Sequence, residues 1–242
     1  MYKDWGDKFY TKRLKETDKL VYFSQHFKTV EINSTFYRMP QGDTFKRWNK
    51  VVPQDFTYTV KFSKFLTRTK RLMLDKDSKP YASEFLKRTA KLKDHLGAIL
   101  FQLPPNFKCN NERLQSFMEF LYSYLKQIKL KTDVAFEFRH ATWFNEETYS
   151  ILRRFKTAFV IGNSSVYPSE KVFTTNFSYM RMHGPGSLFS SNYSDRQLKE
   201  YADFISAHSD LERFYVYFNN DFHGYALDNA NTIREYLEDN AN

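Results

Sequence analysis

Several segments of the sequence place acids, bases and amides at the end of an otherwise apolar run. The clearest is Val134-Ala135-Phe136-Glu137-Phe138-Arg139-His140. On a β-strand alternate residues share a face, so Glu137 and Arg139 point together while Phe136 and Phe138 point the other way. A buried charge is costly unless it is paired, so the two must meet each other, a ligand or a solvated cleft. The pattern recurs. Glu31 and Asn33 end the run Phe27–Asn33, Lys61 closes Phe56–Phe62, and Gln102 sits near the end of Gly97–Leu103. Asn163 ends Lys156–Asn163, Arg181 and His183 share a face in Ser178–Gly184, and Asn219, Asn220 and Asp221 follow the aromatic run from Arg213.

These residue types define a chemistry. Glu31, Glu137 and Asp221 can act as general base and general acid, because carboxylates sharing a cleft push each other's pKa values apart. His183 can move a proton near neutral pH. Arg139, Arg181 and Lys61 can hold a phosphate or carboxylate, the arginines through a bidentate fork. Asn33, Gln102, Asn219 and Asn220 can orient hydroxyls, and Tyr37 can form a pocket wall. A mixed donor set of Glu31, Glu137, His183 and Asp221 would suit Mn²⁺, Mg²⁺ or Zn²⁺, so a divalent metal is one cofactor reading. The remaining histidines, His26, His95, His140, His208 and His223, show no helical i, i+4 pair. Cys109 has no adjacent base and is not expected to be a nucleophile. The competing account is purely structural: such residues can form an ion-pair layer that caps a core and does no chemistry.

The elements that must carry these residues alternate between strand and helix. Helical stripes fall near Lys15–His26, after Pro80 with Phe85, Thr89, Leu92 and Leu96, and over Glu112–Leu130 with Leu114, Phe117, Leu121 and Leu125. Asn145 has N-cap character, and Ser194 with Gln197 has capping-box spacing ahead of Leu198, Tyr201 and Ile205. The loop Ser34–Pro40 leaves the first strand, and Lys64, Arg68, Lys70 and Arg71 follow the second with Phe62 and Phe65 interleaved. Strand spacing of this kind suits βαβ units, closing either as a doubly wound sheet or as a (β/α) barrel. No Gly-rich phosphate loop follows a strand, and polar residues crowd the strand ends, where barrel enzymes keep their sites. The expectation is an α/β, TIM-barrel-like (β/α) barrel of seven readable strands, forming one domain over residues 1–242.

With 242 residues and 19% aromatic side chains, among them 25 Phe and 17 Tyr, the chain is long enough for a large core. A single cysteine excludes intrachain disulfides and multi-cysteine zinc sites. No run is long and apolar enough to span a bilayer, and the N-terminus has no apolar leader, so a cytoplasmic protein with no membrane partner is expected. The net charge of +9 favours anionic partners, either a small molecule or nucleic acid.

The motifs Val30-Glu31-Ile32-Asn33-Ser34-Thr35-Phe36-Tyr37, Phe101-Gln102-Leu103-Pro104-Pro105, Phe136-Glu137-Phe138-Arg139-His140 with Trp143, Arg181-Met182-His183-Gly184, and Tyr217-Phe218-Asn219-Asn220-Asp221 with Asn229-Ala230 occur in a fixed order. In that order the chain resembles the domain-of-unknown-function 72 (YecE-like) family from about Tyr2 to Leu237. The resemblance implies a TIM-barrel-like fold with a site and assigns no reaction. Family members usually begin with a strand and a Gly-Thr-Ser-Gly-like turn ahead of a Tyr-x-x-Trp, here Tyr2 to Trp5, so the resemblance implies that the usual first strand is lacking or the start codon misplaced. Thr67-Arg68 stands where the family tends to have Thr-His, and Asn163 where an Asp is usual. These two departures remove a titratable base and a carboxylate.

Three functional readings follow. One is an enzyme, a hydrolase or isomerase, that binds a phosphate-bearing substrate at the strand ends. The second is a nucleic-acid-binding or nucleic-acid-processing protein, from the net charge and the basic segment Lys61–Arg71. The third is a non-catalytic scaffold.

Overall fold

The computed structural model describes residues 5–6, 8–11 and 13–241; Tyr2, part of the Tyr-x-x-Trp pattern, lies outside them. The chain divides into two compact units, Lys15–Ala158 and a second that joins Met1–Leu14 to Phe159–Asn242. The larger unit runs α1 (Lys19–His26), β1 (Thr29–Ile32), α2 (Ser34–Tyr37), α3 (Gly42–Val51), β2 (Thr57–Lys61), α4 (Ser78–Thr89), β3 (Leu96–Gln102), α5 (Asn111–Gln127), β4 (Asp133–Glu137) and α6 (Glu146–Arg154). The other holds β5 (Ala158–Asn163), β6 (Phe177–Met182), α7 (Asp195–Ser206), β7 (Arg213–Phe218) and α8 (Tyr225–Ala241). Strands β1 to β4 pair in parallel in sequence order, and so do β5 to β7. Seven strands therefore stand among the described residues, at the positions the sequence pattern indicates.

Strand register decides which side chains meet. Glu31 lies opposite Thr59, Lys61 opposite Leu100, Leu100 opposite Ala135, and Gln102 opposite Glu137, so all of these share one face. Val60, Ile99, Phe101, Val134 and Phe136 make the other face. That second face is an aromatic stack. Phe62 lies 4.2 Å from Phe85 of α4 and 4.6 Å from Phe101. Phe101 stacks on Phe136 at 4.9 Å and meets Phe117 of α5 edge-on at 5.3 Å. Helices α4 and α5 thus cover the aromatic face and leave the polar one on the far side. In the other unit Gly162, Arg181 and Tyr217 are in register on one face, while Ile161, Met180 and Met182 pack on Leu198, Ala202, Ile205 and Ile233 of α7 and α8.

Local signals held where they were strongest. Asn145 Oδ1 accepts the Thr148 N–H at 2.9 Å, and Ser194 with Gln197 forms the full capping box. Elsewhere the backbone departs from the pattern. Leu92 and Leu96 do not continue the α4 stripe: the helix gives way at Ala90 to a 3-10 turn in which Lys93 takes φ 51°, and Leu96 opens β3. That helix starts at Ser78, ahead of Pro80 rather than after it, which the unpaired N–H groups of a first turn allow. Ser34–Tyr37 is a short helix rather than a loop, and Phe65–Thr69 winds as a π-helical turn. Among the described residues no helix is long and apolar enough to cross a membrane.

Phe101 joins the stacks on both sides of β3, and its truncation leaves a cavity the fixed helices cannot close. Phe101→Ala should cost about 3–5 kcal/mol of stability in urea denaturation. A loss below about 1 kcal/mol would show that the aromatic face does not hold the unit together.

Candidate functional site

In the larger unit the candidate residues gather at the C-terminal ends of β1 to β4. Glu31, Lys61, Gln102, Glu137 and Arg139 are all buried, between 1% and 8% exposed. Lys61 Nζ donates to Gln102 Oε1 at 2.7 Å, across 41 residues of sequence. Arg139 Nε donates to Glu137 Oε1 at 2.7 Å, so the acid and base two residues apart do face each other. Lys61 Nζ also sits 4.4 Å above the ring of Phe36, a cation–π contact that gains strength from burial. Thr35 Oγ1 lies 2.7 Å from the Lys61 carbonyl oxygen and 2.9 Å from that of Ile32, tying the end of β1 to the end of β2. Asn33 is half-buried at the start of α2 and makes no side-chain cap. Tyr37 departs from the buried set. It is 71% exposed and stands outside as a surface ring.

The second unit repeats the arrangement with different chemistry. Arg181, His183, Asn219, Asn220 and Asp221 are buried. Arg181 Nη1 lies 3.4 Å from His183 Nε2. A guanidinium only donates, which assigns the acceptor role to Nε2 and the ring proton to Nδ1. Asn220 Nδ2 donates to the Ser191 carbonyl at 3.0 Å and to Asn229 Oδ1 at 2.8 Å, and Asn229 passes the chain to Asn192 at 2.9 Å. The Asn220 amide nitrogen is thus spent on holding the loop after β6, while the buried Oδ1 atoms of Asn219 and Asn220 have no hydrogen-bond partner among the described residues. That loop turns at Gly184, whose φ of +108° places a would-be Cβ 2.7 Å from Ser191 Oγ, so no other residue fits without displacement.

Asn163 does not belong with the polar strand-end face. It lies in register with Met182, on the helix-packed side of β5. The buried Tyr193 hydroxyl bridges it to the backbone, donating to Asn163 Oδ1 at 2.5 Å and accepting the Gly184 N–H at 2.9 Å. Burial pushes the Tyr193 phenol well above its usual range, an effect the Gly184 N–H partly offsets. Tyr193 and Thr35 escaped the sequence reading because each has a partner that only folding brings near, Asn163 for Tyr193 and the Lys61 carbonyl for Thr35. His140, by contrast, is the loop residue it looked to be: Thr142 N donates to its Nδ1 at 3.2 Å.

Among the described residues no three His, Cys, Asp or Glu side chains converge to hold a metal ion. The mixed set of Glu31, Glu137, His183 and Asp221 is therefore not assembled as a metal centre. Two of its carboxylates lie in one unit and the imidazole and third carboxylate in the other. A 470 Å³ surface recess lined by Gln41, Glu84, Lys87, Arg88 and Lys91 includes none of the candidate residues.

The alternation of parallel strands and helices, with polar strand ends opposite a helix-packed face, is that of a TIM-barrel-like α/β protein. A family model described as "Protein of unknown function DUF72" matches residues 1–242, and the chain belongs to that family. The UPF0759 protein YunF of Bacillus subtilis is 25% identical over 97% of this chain and 92% of its own length. A DUF72 family protein of Thermotoga maritima, solved by crystallography, is 27% identical with a TM-score of 0.80, covering 98% of this chain and 95% of that one. One from Enterococcus faecalis shares the fold at 19% identity, TM-score 0.79, over 90% and 88% of the two chains.

Two substitutions test the geometry. Arg139→Met leaves the buried Glu137 carboxylate without its guanidinium and should cost about 3–5 kcal/mol, whereas Glu137→Leu/Arg139→Met together should cost less than the single change. Additive losses in chemical denaturation would contradict the pairing. Tyr193→Phe removes the bridge and should cost about 1–3 kcal/mol; unchanged stability would mean that water replaces the hydroxyl freely.

Proposed function

We propose that the protein is an enzyme that binds a phosphate-bearing small molecule at the C-terminal ends of β1–β4 and acts on it by hydrolysis or isomerisation. The observation that carries this reading is the burial of Glu31, Lys61, Gln102, Glu137 and Arg139 at consecutive strand ends, on the face that α4 and α5 do not cover. Charges of this kind are stabilising only when matched, so a structural layer could be replaced by apolar residues at little cost. The gathering of ionic and amide groups at consecutive strand ends supports a site.

The charges are balanced: Glu31 and Glu137 oppose Lys61 and Arg139. An incoming phosphate therefore competes with carboxylates rather than filling a charge deficit. A phosphate on Arg139 weakens the guanidinium's hold on Glu137 and raises that carboxylate's affinity for a proton. Binding thus arms Glu137 as a base toward an attacking water or a substrate C–H, with Glu31 as the second carboxylate and Gln102 orienting a hydroxyl. Lys61, held on Phe36, supplies a second positive charge to the phosphate. Asn33 borders the same strand ends. The other unit buries Arg181, His183, Asn219 and Asp221 as a polar set of its own, in which His183 is the group suited to carry a proton.

Isothermal titration with inorganic phosphate and with sugar phosphates tests this. Arg139→Lys, which keeps the charge and loses the fork, should weaken binding about 30-fold or more. Glu137→Gln removes the competing carboxylate charge, so it should bind the anion more tightly and lose the proton uptake seen when titrations are run in buffers of different ionisation enthalpy. Wild-type protein that binds none of these anions, or Arg139→Lys that binds them equally well, would overturn the proposal.

A further inference from the structure

The basic segment after β2 is not used by the strand-end site, and folding sorts its cations sharply. Lys70 is neutralised, with Nζ 2.8 Å from Asp75 Oδ2 and 3.4 Å from Asp77 Oδ2. The Lys70 hydrogen bond holds the Asp75 carboxyl well below the usual carboxylate range. Arg71 lies over the Phe107 ring at 5.9 Å, a ring it shares with Arg113. Lys64 and Arg68 are different. Both are exposed, and neither has an acidic partner among the described residues.

What holds these two in place is aromatic. Arg68 Cζ lies 4.9 Å from the centroid of Phe36, and Lys64 Nζ lies 5.7 Å from that of Tyr37. The π-helical turn sets this geometry by burying Leu66 and Thr67, with Thr67 Oγ1 bonded to the Ser63 carbonyl at 3.1 Å. Lys64 and Arg68, which flank this buried pair in the sequence, are left exposed. Phe36 is 2% exposed and meets Tyr37 edge-on at 5.1 Å, so the buried ring supports the exposed one. Tyr37, at 71%, has its ring in solvent, and the exposed Arg38 follows it. A supported, solvent-facing ring flanked by cations without counter-charges combines a stacking surface with phosphate partners.

We propose that Tyr37, Lys64 and Arg68 form a docking surface for single-stranded nucleic acid, in which an unpaired base stacks on Tyr37 and the flanking phosphates pair with Lys64 and Arg68. This goes beyond the strand-end site, since none of the three residues belongs to it. Single strands are favoured over duplex because stacking on a protruding ring needs a base face that a duplex keeps covered. The surface reads no sequence, since every base has a face to stack.

Fluorescence anisotropy with a labelled oligothymidylate of about twelve nucleotides provides the test. Wild-type protein should bind, with log K falling linearly against log salt. Tyr37→Ala, a change to an exposed ring that circular dichroism should show to fold normally, should weaken binding about fivefold to a hundredfold. Lys64→Ala/Arg68→Ala should lower the salt slope by about 1.4. Phosphate binding at the strand ends should be unchanged in both variants, and the duplex form of the oligonucleotide should bind more weakly and ignore Tyr37→Ala. Absence of wild-type binding at low salt, Tyr37→Ala affinity equal to wild type, or duplex bound as tightly as the single strand would each overturn the proposal.

Discussion

The buried ion pair between Glu137 and Arg139 is the constraint on which the rest of the larger unit turns. A parallel strand covered by helices on one face can be aromatic there without cost, and β3 and β4 are, through Phe101 and Phe136. The charges must then lie on the alternate face, and each must find a partner once water is excluded. Glu137 meets Arg139 on its own strand, whereas Lys61 meets Gln102 on the next strand. The register of Gln102 with Glu137 brings the two pairs side by side. Lower down the same face carries Thr59, Ala98, Leu100 and Ala135, and Lys61, Gln102 and Glu137 stand at the C-terminal ends.

Much of the fold is legible in the sequence because its signals are local. Short apolar runs that end in polar residues give all seven strands, and side chains that bond their own neighbours give the caps at Asn145 and Ser194. The placement of Glu137 beside Arg139 is legible for the same reason: both lie on one short segment. What is not legible depends on folding. The Lys61–Gln102 contact needs the β2–β3 register, which includes an irregularity at Tyr58/Thr59 that no spacing rule reports. Asn163 ends its strand on the helix-facing side, so its polarity marks a bond to Tyr193 rather than a place in the polar cluster. The stripe through Leu92 and Leu96 misleads because Lys93 adopts a left-handed conformation that breaks the helix between them.

Charge tells a parallel story. The +9 balance suggests an anion partner, yet the buried groups of each unit cancel, Glu31 and Glu137 against Lys61 and Arg139, and Asp221 against Arg181. The excess positive charge is therefore carried outside these clusters, on side chains such as Lys64 and Arg68. Attraction over distance and the recognition proposed at the strand ends would be separate properties. The first is screened by salt, while the second depends on displacing a carboxylate from a guanidinium in a buried setting.

That displacement is the central claim, and a crystal grown with tungstate, a heavy tetrahedral stand-in for phosphate, examines it directly. The account predicts an anomalous peak within hydrogen-bond reach of the Arg139 guanidinium and Lys61 Nζ, with the Arg139 Nε–Glu137 Oε1 separation lengthened from its 2.7 Å. Tungstate found solely on surface lysines, with that pair unmoved, would contradict it.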